Sequence, residues 1–88
     1  TINDDAAADF ARLAAETVSG AGSCEEVPLA MGGEDFSFML QERPGAMIRL
    51  GNGPSAGLHH PEYDFNDEAI PTGISWFAEM IEQRMPVA

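Results

Sequence analysis

Both histidines of the chain stand side by side in the segment GLHHPEYDFND, residues 57–67, between a glycine and a proline. Imidazole nitrogens are common metal ligands and proton carriers near neutral pH. Neighbouring residues in an extended or turn conformation point in different directions, so at most one of the two rings is expected to face a given ion. Pro61 restricts the backbone of His60 and stiffens this stretch. The segment is a candidate source of one metal ligand. Local features alone also fit the alternative of an exposed histidine pair on a surface loop.

Few other side chains of the sequence could complete a metal centre or attack a substrate. A catalytic zinc site takes three protein ligands, whereas the chain offers two histidines, the single cysteine Cys24 and scattered acids without HExxH spacing. There is also no GxSxG motif to mark a nucleophilic serine. The sequence therefore predicts no catalytic residue and no complete metal centre within these residues.

The segment GGEDF, residues 32–36, allows two interpretations. As structure, it is a glycine turn followed by acids at the start of a helix, where the helix dipole favours negative charge. As function, Gly33 would let a ligand approach the backbone closely, and Glu34 would support a metal or hold a nitrogen of a substrate. The segment lacks GxGxxG and Walker spacing, which argues against a phosphate cradle.

The charge of the chain excludes some partners. Fifteen acids stand against four arginines and no lysine, a net charge of −11, so nucleic acid and anionic membranes would be repelled. No apolar run approaches the roughly 20 residues of a membrane helix. The lone Cys24 excludes an internal disulfide and favours a reducing compartment, for which the cytoplasm is the expectation.

Helices are predicted at both ends of the chain. Asn3 is a candidate N-cap for a first helix, whose apolar residues recur at helical spacing up to a glycine cap at Gly20. Asn66 or Asp67 is a candidate cap for the last helix. That helix carries one apolar stripe, which Trp76 and Met80 widen and which consists of Ile70, Ile74, Phe77 and Ile81.

Shorter elements are predicted between these helices. Residues 27–31 are a possible strand, the acids of GGEDF lead into a short helix that ends before Pro44, and residues 46–50 are bounded by turn residues, as a buried strand would be. A long loop, residues 51–66, then carries both histidines, and long loops in compact domains are usually functional. The order helix, strand, helix, strand, loop, helix predicts an α/β fold.

Three motifs occur in a fixed order: GGEDF, then PGAMIRLG at residues 44–51, then GLHHPEYDFNDEAIPTG at residues 57–73. In this order and spacing the chain resembles the C-terminal segment of the metal-dependent amidohydrolases of peptidase family M20. The subgroup it resembles comprises hippurate hydrolases, N-acyl-amino-acid amidohydrolases and auxin-conjugate hydrolases. The resemblance covers essentially the whole chain. It implies that residues 1–88 are the C-terminal portion of a zinc-peptidase-like catalytic domain, whose upstream part and lid or dimerisation domain are absent here.

The resemblance also implies a site. Such a protein would hold divalent metal, two ions per full-length subunit, with zinc or manganese expected and nickel or cobalt as further options. His59 matches the ligand of the LHxP segment of the family, so it is the expected metal ligand. His60 falls where the family varies and is a candidate either for supporting a metal ligand from behind or for contact with substrate. Gly33 and Glu34 in the GGEDF turn are further candidates for contact with substrate.

The function implied by this resemblance is hydrolysis of the amide bond of N-acyl amino acids, such as hippurate, by a metal-activated water. The full-length protein is expected to be a homo-oligomer, and the isolated chain is expected to be inactive and to self-associate. The alternative from another class is a free-standing acidic binding or interaction module that keeps only the fold of the enzyme.

Overall fold

A computed structural model describes residues 1–87 of the chain. It contains three helices in chain order: α1 at Asp5–Ser19, α2 at Phe36–Glu42 and α3 at Ala69–Arg84. Helices α1 and α3 pack against each other, and the segments between the helices are extended or turn-forming loops. No helix within this described range is long and apolar enough to cross a membrane.

The ends of α1 are held by local hydrogen bonds. The N-cap is Asp4, whose Oδ2 accepts from the Ala7 N–H at 3.0 Å, one residue later than the predicted cap Asn3. At the other end the Gly20 N–H donates to the Glu16 carbonyl at 2.7 Å with a positive φ of 99°, a conformation that glycine adopts readily. The predicted first helix is thereby confirmed, with its cap shifted.

Small residues of α1 lie at its contact with α3. Ala11 and Ala14 are the buried hydrophobic residues among those the structure describes. The Trp76 indole N–H of α3 donates to the Ala11 carbonyl at 3.1 Å, and the guanidinium of Arg84 lies 3.6 Å from the centre of the Phe10 ring. The core is thus one helix–helix contact anchored by a tryptophan and a cation–π pair.

The bond from Trp76 to Ala11 leads to a first prediction. Trp76→Phe in the complete protein is expected to lower the free energy of unfolding by about 1–2 kcal/mol, because an intramolecular hydrogen bond and some packing volume are lost. Denaturant unfolding measures the change. Ser75→Ala, at an exposed position of the same helix, is the control and should stay within about 0.5 kcal/mol of the parent. An equal effect of the two substitutions would contradict the contact.

The α/β prediction is wrong, because no strand is present in residues 1–87. A strand needs a backbone partner for its N–H and C=O groups. At residues 46–50 that partner is a side chain: the Asn3 amide donates to the Met47 carbonyl at 3.1 Å and accepts from the Met47 N–H at 2.8 Å. At residues 27–31 no ladder forms, and Leu29 and Met31 are fully exposed.

The two remaining helix predictions are confirmed with one difference in orientation. Helix α2 ends at Glu42, before Pro44, and α3 begins after its N-cap Glu68, slightly later than predicted. Gly73 of α3 packs against Leu50, where an added Cβ would lie 3.6 Å from the Leu50 Cδ2 atom. Trp76 and Met80 are half-buried. The apolar stripe, by contrast, is exposed, its members retaining between 48% and 64% of their accessible surface: Ile70, Ile74, Phe77 and Ile81.

Candidate functional site: the histidine loop

The histidine loop, residues 51–66, reverses the chain twice around the two histidines. The His60 N–H donates to the Gly57 carbonyl at 3.1 Å, and the Tyr63 N–H donates to the His60 carbonyl at 3.0 Å. Both imidazoles are exposed at these turns. The loop therefore presents the histidines to the surroundings and does not bury them in a core.

His59 has a backbone conformation that few side chains adopt. Its φ is 66°, the one positive value at a non-glycine residue within residues 1–87. His59 is the third residue of the turn from Gly57 to His60, and a positive φ at that place alone is typical of a type II turn, which prefers glycine or asparagine there. Such a conformation costs on the order of 1–3 kcal/mol and clusters at functional sites. Because this turn position prefers glycine, the presence of histidine there indicates that the imidazole itself is required.

His60 is already engaged through one ring nitrogen. Its Nδ1 accepts a hydrogen bond from the Glu62 N–H at 3.0 Å. A neutral imidazole has one accepting and one donating nitrogen, so the hydrogen of the neutral ring lies on Nε2. His60 can therefore donate from Nε2 to an acceptor outside the loop. The two adjacent histidines thus differ in backbone conformation and in hydrogen bonding.

The ends of the histidine loop are joined by two polar side chains that are not among the candidates named from the sequence. The Asn52 amide bonds the backbone of Asp64 and Asn66, at 2.6 and 2.7 Å respectively. The Ser55 hydroxyl accepts from the Asp64 N–H at 3.1 Å. The signal was present in the sequence GNGPS, because asparagine and serine among glycine and proline often bond to nearby backbone.

The GGEDF segment lies before α2 and is exposed. One carboxylate oxygen of Glu34, Oε1, accepts from the Phe36 N–H at 3.2 Å, and the N-cap Asp35 makes no side-chain capping bond. Glu34 therefore takes over part of the capping of α2, and its second oxygen is free for another partner. Gly33 is exposed, with open space where a side chain would stand.

The two histidines are neighbours in the sequence, and the structure does not join them to the GGEDF segment. No hydrogen bond or ion pair connects Glu34 with either histidine in the described part of the chain. Two open hollows, of about 470 and 340 Å³, lie beside the start of α1 and Pro44–Gly45, and neither is lined by the predicted site residues. Residues 1–87 therefore do not form an enclosed substrate pocket around His60, Gly33 and Glu34.

The side chains present here could supply one ligand to a metal centre, but not a complete set of ligands. Within residues 1–87 no group of three or more His, Cys, Asp or Glu side chains lies close enough to hold an ion. A catalytic zinc site needs three protein ligands. His59, exposed on a strained turn, can supply one imidazole, so further ligands would have to come from outside this part of the chain.

Comparison with protein families decides the affiliation of the chain. The family model described as peptidase family M20/M25/M40 matches residues 1–83, nearly the whole chain. The chain belongs to peptidase family M20. The match includes both the GGEDF segment and the histidine loop, and it confirms the resemblance found in the sequence. Members of this family generally use divalent metal ions.

Three curated relatives of this M20 chain bear the names of a hippurate hydrolase, an IAA-amino acid hydrolase and a deacetylase. A hippurate hydrolase of Campylobacter jejuni is 35% identical over 91% of the chain, and an IAA-amino acid hydrolase, ILR1-like 4, of Arabidopsis thaliana is 34% identical over 91%. An N-acetyldiaminopimelate deacetylase of Pediococcus pentosaceus is 38% identical over 69%. The chain spans only 21%, 19% and 16% of these relatives, respectively. No solved structure matches the chain.

Proposed function

We propose that this chain is the C-terminal portion of the catalytic domain of a metal-dependent amidohydrolase, and that the complete protein cleaves the amide bond of N-acyl amino acids. The observation that carries the proposal is the family match across residues 1–83, which includes the histidine loop. The names of the three relatives share one chemistry, the removal of an acyl group from the nitrogen of an amino acid. The rival interaction module is not favoured, because these relatives all bear enzyme names.

His59 is proposed as the ligand that this chain contributes to the metal site. Its imidazole is exposed and its turn holds a conformation that a loop without function would have little reason to keep. Two divalent ions per subunit are proposed, zinc or manganese first and nickel or cobalt as alternatives. When bound, such ions supply an activated water and stabilise the developing oxyanion.

Substrate contacts are proposed for His60, Gly33 and Glu34. With its Nδ1 occupied by the Glu62 N–H, His60 has an Nε2–H group that suits the carboxylate of an N-acyl amino acid, an anion that only donors can bind well. Gly33 leaves room for the backbone to approach a ligand, and the unused oxygen of Glu34 can accept from a substrate N–H group. None of these groups is a catalytic acid, base or nucleophile in this proposal.

The isolated chain is proposed to be inactive, because its described residues hold no group of ligands large enough for an ion. The complete protein is proposed to be a homo-oligomer in the cytoplasm, and the lone Cys24 fits a reducing compartment. The exposed apolar surface of α3 supports its burial against the rest of a catalytic domain.

The test of this function uses the complete protein, treated with a chelator and then supplied in turn with zinc, manganese, nickel or cobalt. A panel of hippurate, N-acetyl amino acids and indole-3-acetyl amino acids, with release of the free amino acid as the readout, is expected to give metal-dependent hydrolysis. The 88-residue chain in the same assay is expected to give none. Absence of metal-dependent hydrolysis across the panel by the complete protein would overturn the proposal.

A further inference from the structure

We propose that Asn52 and Ser55 are positioning residues that clamp the ends of the histidine loop and so hold His59 in its ligand conformation. This inference rests on the proposed function for its consequence at the metal site. The structural part of the proposal, that the order of the loop depends on the clamp, can be tested without measuring any activity.

The Asn52 side chain takes the place of a neighbouring strand. Its Nδ2 donates to the Asp64 carbonyl at 2.6 Å, and its Oδ1 accepts from the Asn66 N–H at 2.7 Å. These two groups flank Phe65, and one residue of a neighbouring parallel strand would bond both of them through its own N–H and C=O. One amide thus bonds two backbone groups that no strand pairs within residues 1–87. Asn52 and Asn66 are both half-buried, which limits competition from water at the bond between them, whereas Asp64 is exposed.

Ser55 adds a second tie at the same place. Its Oγ accepts from the Asp64 N–H at 3.1 Å and lies within donating distance of the Ala56 and Asp64 carbonyls, at 3.1 and 3.3 Å. The backbone of Asp64 is therefore held on both its N–H and its C=O by side chains from the start of the loop. The clamp joins residues 52–55 to residues 64–66.

The clamp brings residues 52–55 next to residues 64–66, and the histidines lie in the part of the loop between these two ends. Between the tied ends lie the two turns around His59 and His60, and no helix or strand lies there to hold them. An untied loop of this length would sample many conformations, and His59 would leave its positive φ for the more favourable negative region. Bonding the ends together reduces that freedom, so the backbone that carries the imidazole of His59 stays in place although the His59 ring makes no hydrogen bond within residues 1–87.

The test uses the complete protein with Asn52→Ala, Asn52→Asp and Ser55→Ala. Asn52→Asp keeps the acceptor for the Asn66 N–H but places an oxygen against the Asp64 carbonyl, so it should act like Asn52→Ala. Both are expected to weaken retention of zinc by about 10- to 100-fold, the range typical for residues that orient a ligand. Excess zinc should restore kcat, and amide hydrogen exchange across residues 57–63 should accelerate. Ser55→Ala is expected to act in the same direction and more weakly.

Asn3→Ala is the matched control. Asn3 likewise bonds both backbone groups of a distant residue, Met47, through its amide, but it lies outside the histidine loop. It should cost similar stability, measured by denaturant unfolding, while leaving zinc retention and exchange at residues 57–63 as in the parent. Unchanged zinc retention in the Asn52 variants, or an equal loss in Asn3→Ala, would overturn the proposal.

Hydrogen exchange separates this inference from the proposed function. A parent protein that holds no divalent metal would refute the proposed function and, with it, the role of the clamp at a metal site. Acceleration at residues 57–63 in the Asn52 variants would still establish the clamp itself. Unchanged exchange would refute the clamp even where the parent is an active metalloenzyme.

Discussion

Replacing His59 by alanine in the complete protein is expected to lower kcat/KM for N-acyl amino acids by on the order of 10³-fold or more. The loss of one imidazole ligand would release or misplace a divalent ion that supplies several kcal/mol of transition-state stabilisation, and each 1.36 kcal/mol corresponds to a factor of ten in rate. Metal content after dialysis should fall in parallel. The two readouts together show whether the activity was lost with the ion or for another reason.

The turn around His59 requires a control of its own, because His59→Ala also changes a residue with a positive φ. His59→Asn and His59→Gly suit that conformation better than alanine does. Both should therefore fold at least as well as the parent and still lose the metal and the activity. His60→Ala should keep the metal and chiefly raise KM, since His60 is proposed to contact the substrate. Full activity in His59→Gly would show that the imidazole is not a ligand.

The exposed stripe of α3 is expected to make the isolated 88-residue chain self-associate. Its four large apolar side chains, together with other exposed apolar residues such as Leu29 and Met31, leave a broad apolar surface uncovered. Sedimentation of the isolated chain should show an average mass that rises with concentration. Phe77→Glu should shift the chain towards monomer, because a charge then lies in the middle of the stripe.

The same position should behave in the opposite way in the complete protein, where the stripe is proposed to be covered. Phe77→Ala is expected to lower the free energy of unfolding there by about 3–5 kcal/mol, the usual range for a buried phenylalanine. Glu82→Ala, at an exposed position of the same helix, should stay within about 0.5 kcal/mol. A cost below about 1 kcal/mol for Phe77→Ala would show that the stripe is not buried in the complete protein.

The positions of the helices could be predicted because their signals are local. Helical spacing of apolar residues, acids or amides near the first turn, Gly20 at one end and Pro44 beyond another lie within a few residues of the elements they define. The predicted caps of α1 and α3 lie one or two residues before the observed caps Asp4 and Glu68, and for α1 the reason is that Asn3 resembles a cap but bonds Met47 across the fold. Local patterns do not show which of several polar residues is used elsewhere.

The strands could not be predicted reliably, because a strand is defined by its partner. The segment 46–50 has the composition and the flanking turn residues of a buried strand, yet the N–H and C=O of Met47 within it bond the side-chain amide of Asn3 and no strand. The orientation of helix α3 likewise depends on a partner that is distant in the sequence. Its periodicity identifies the apolar stripe, but which face meets α1 depends on the Trp76 bond to Ala11, a contact between residues 65 positions apart.

The sequence by itself determined the three helices, the acidic character and, through the order of its motifs, the family, whose resemblance in turn implies His59 as the candidate metal ligand. Only the tertiary structure decided that His59 has a positive φ, that His60 is bonded through Nδ1, and that Asn52 and Ser55 clamp the loop. These features depend on backbone geometry and on contacts between residues distant in sequence. A one-dimensional pattern of residue types does not contain those distances.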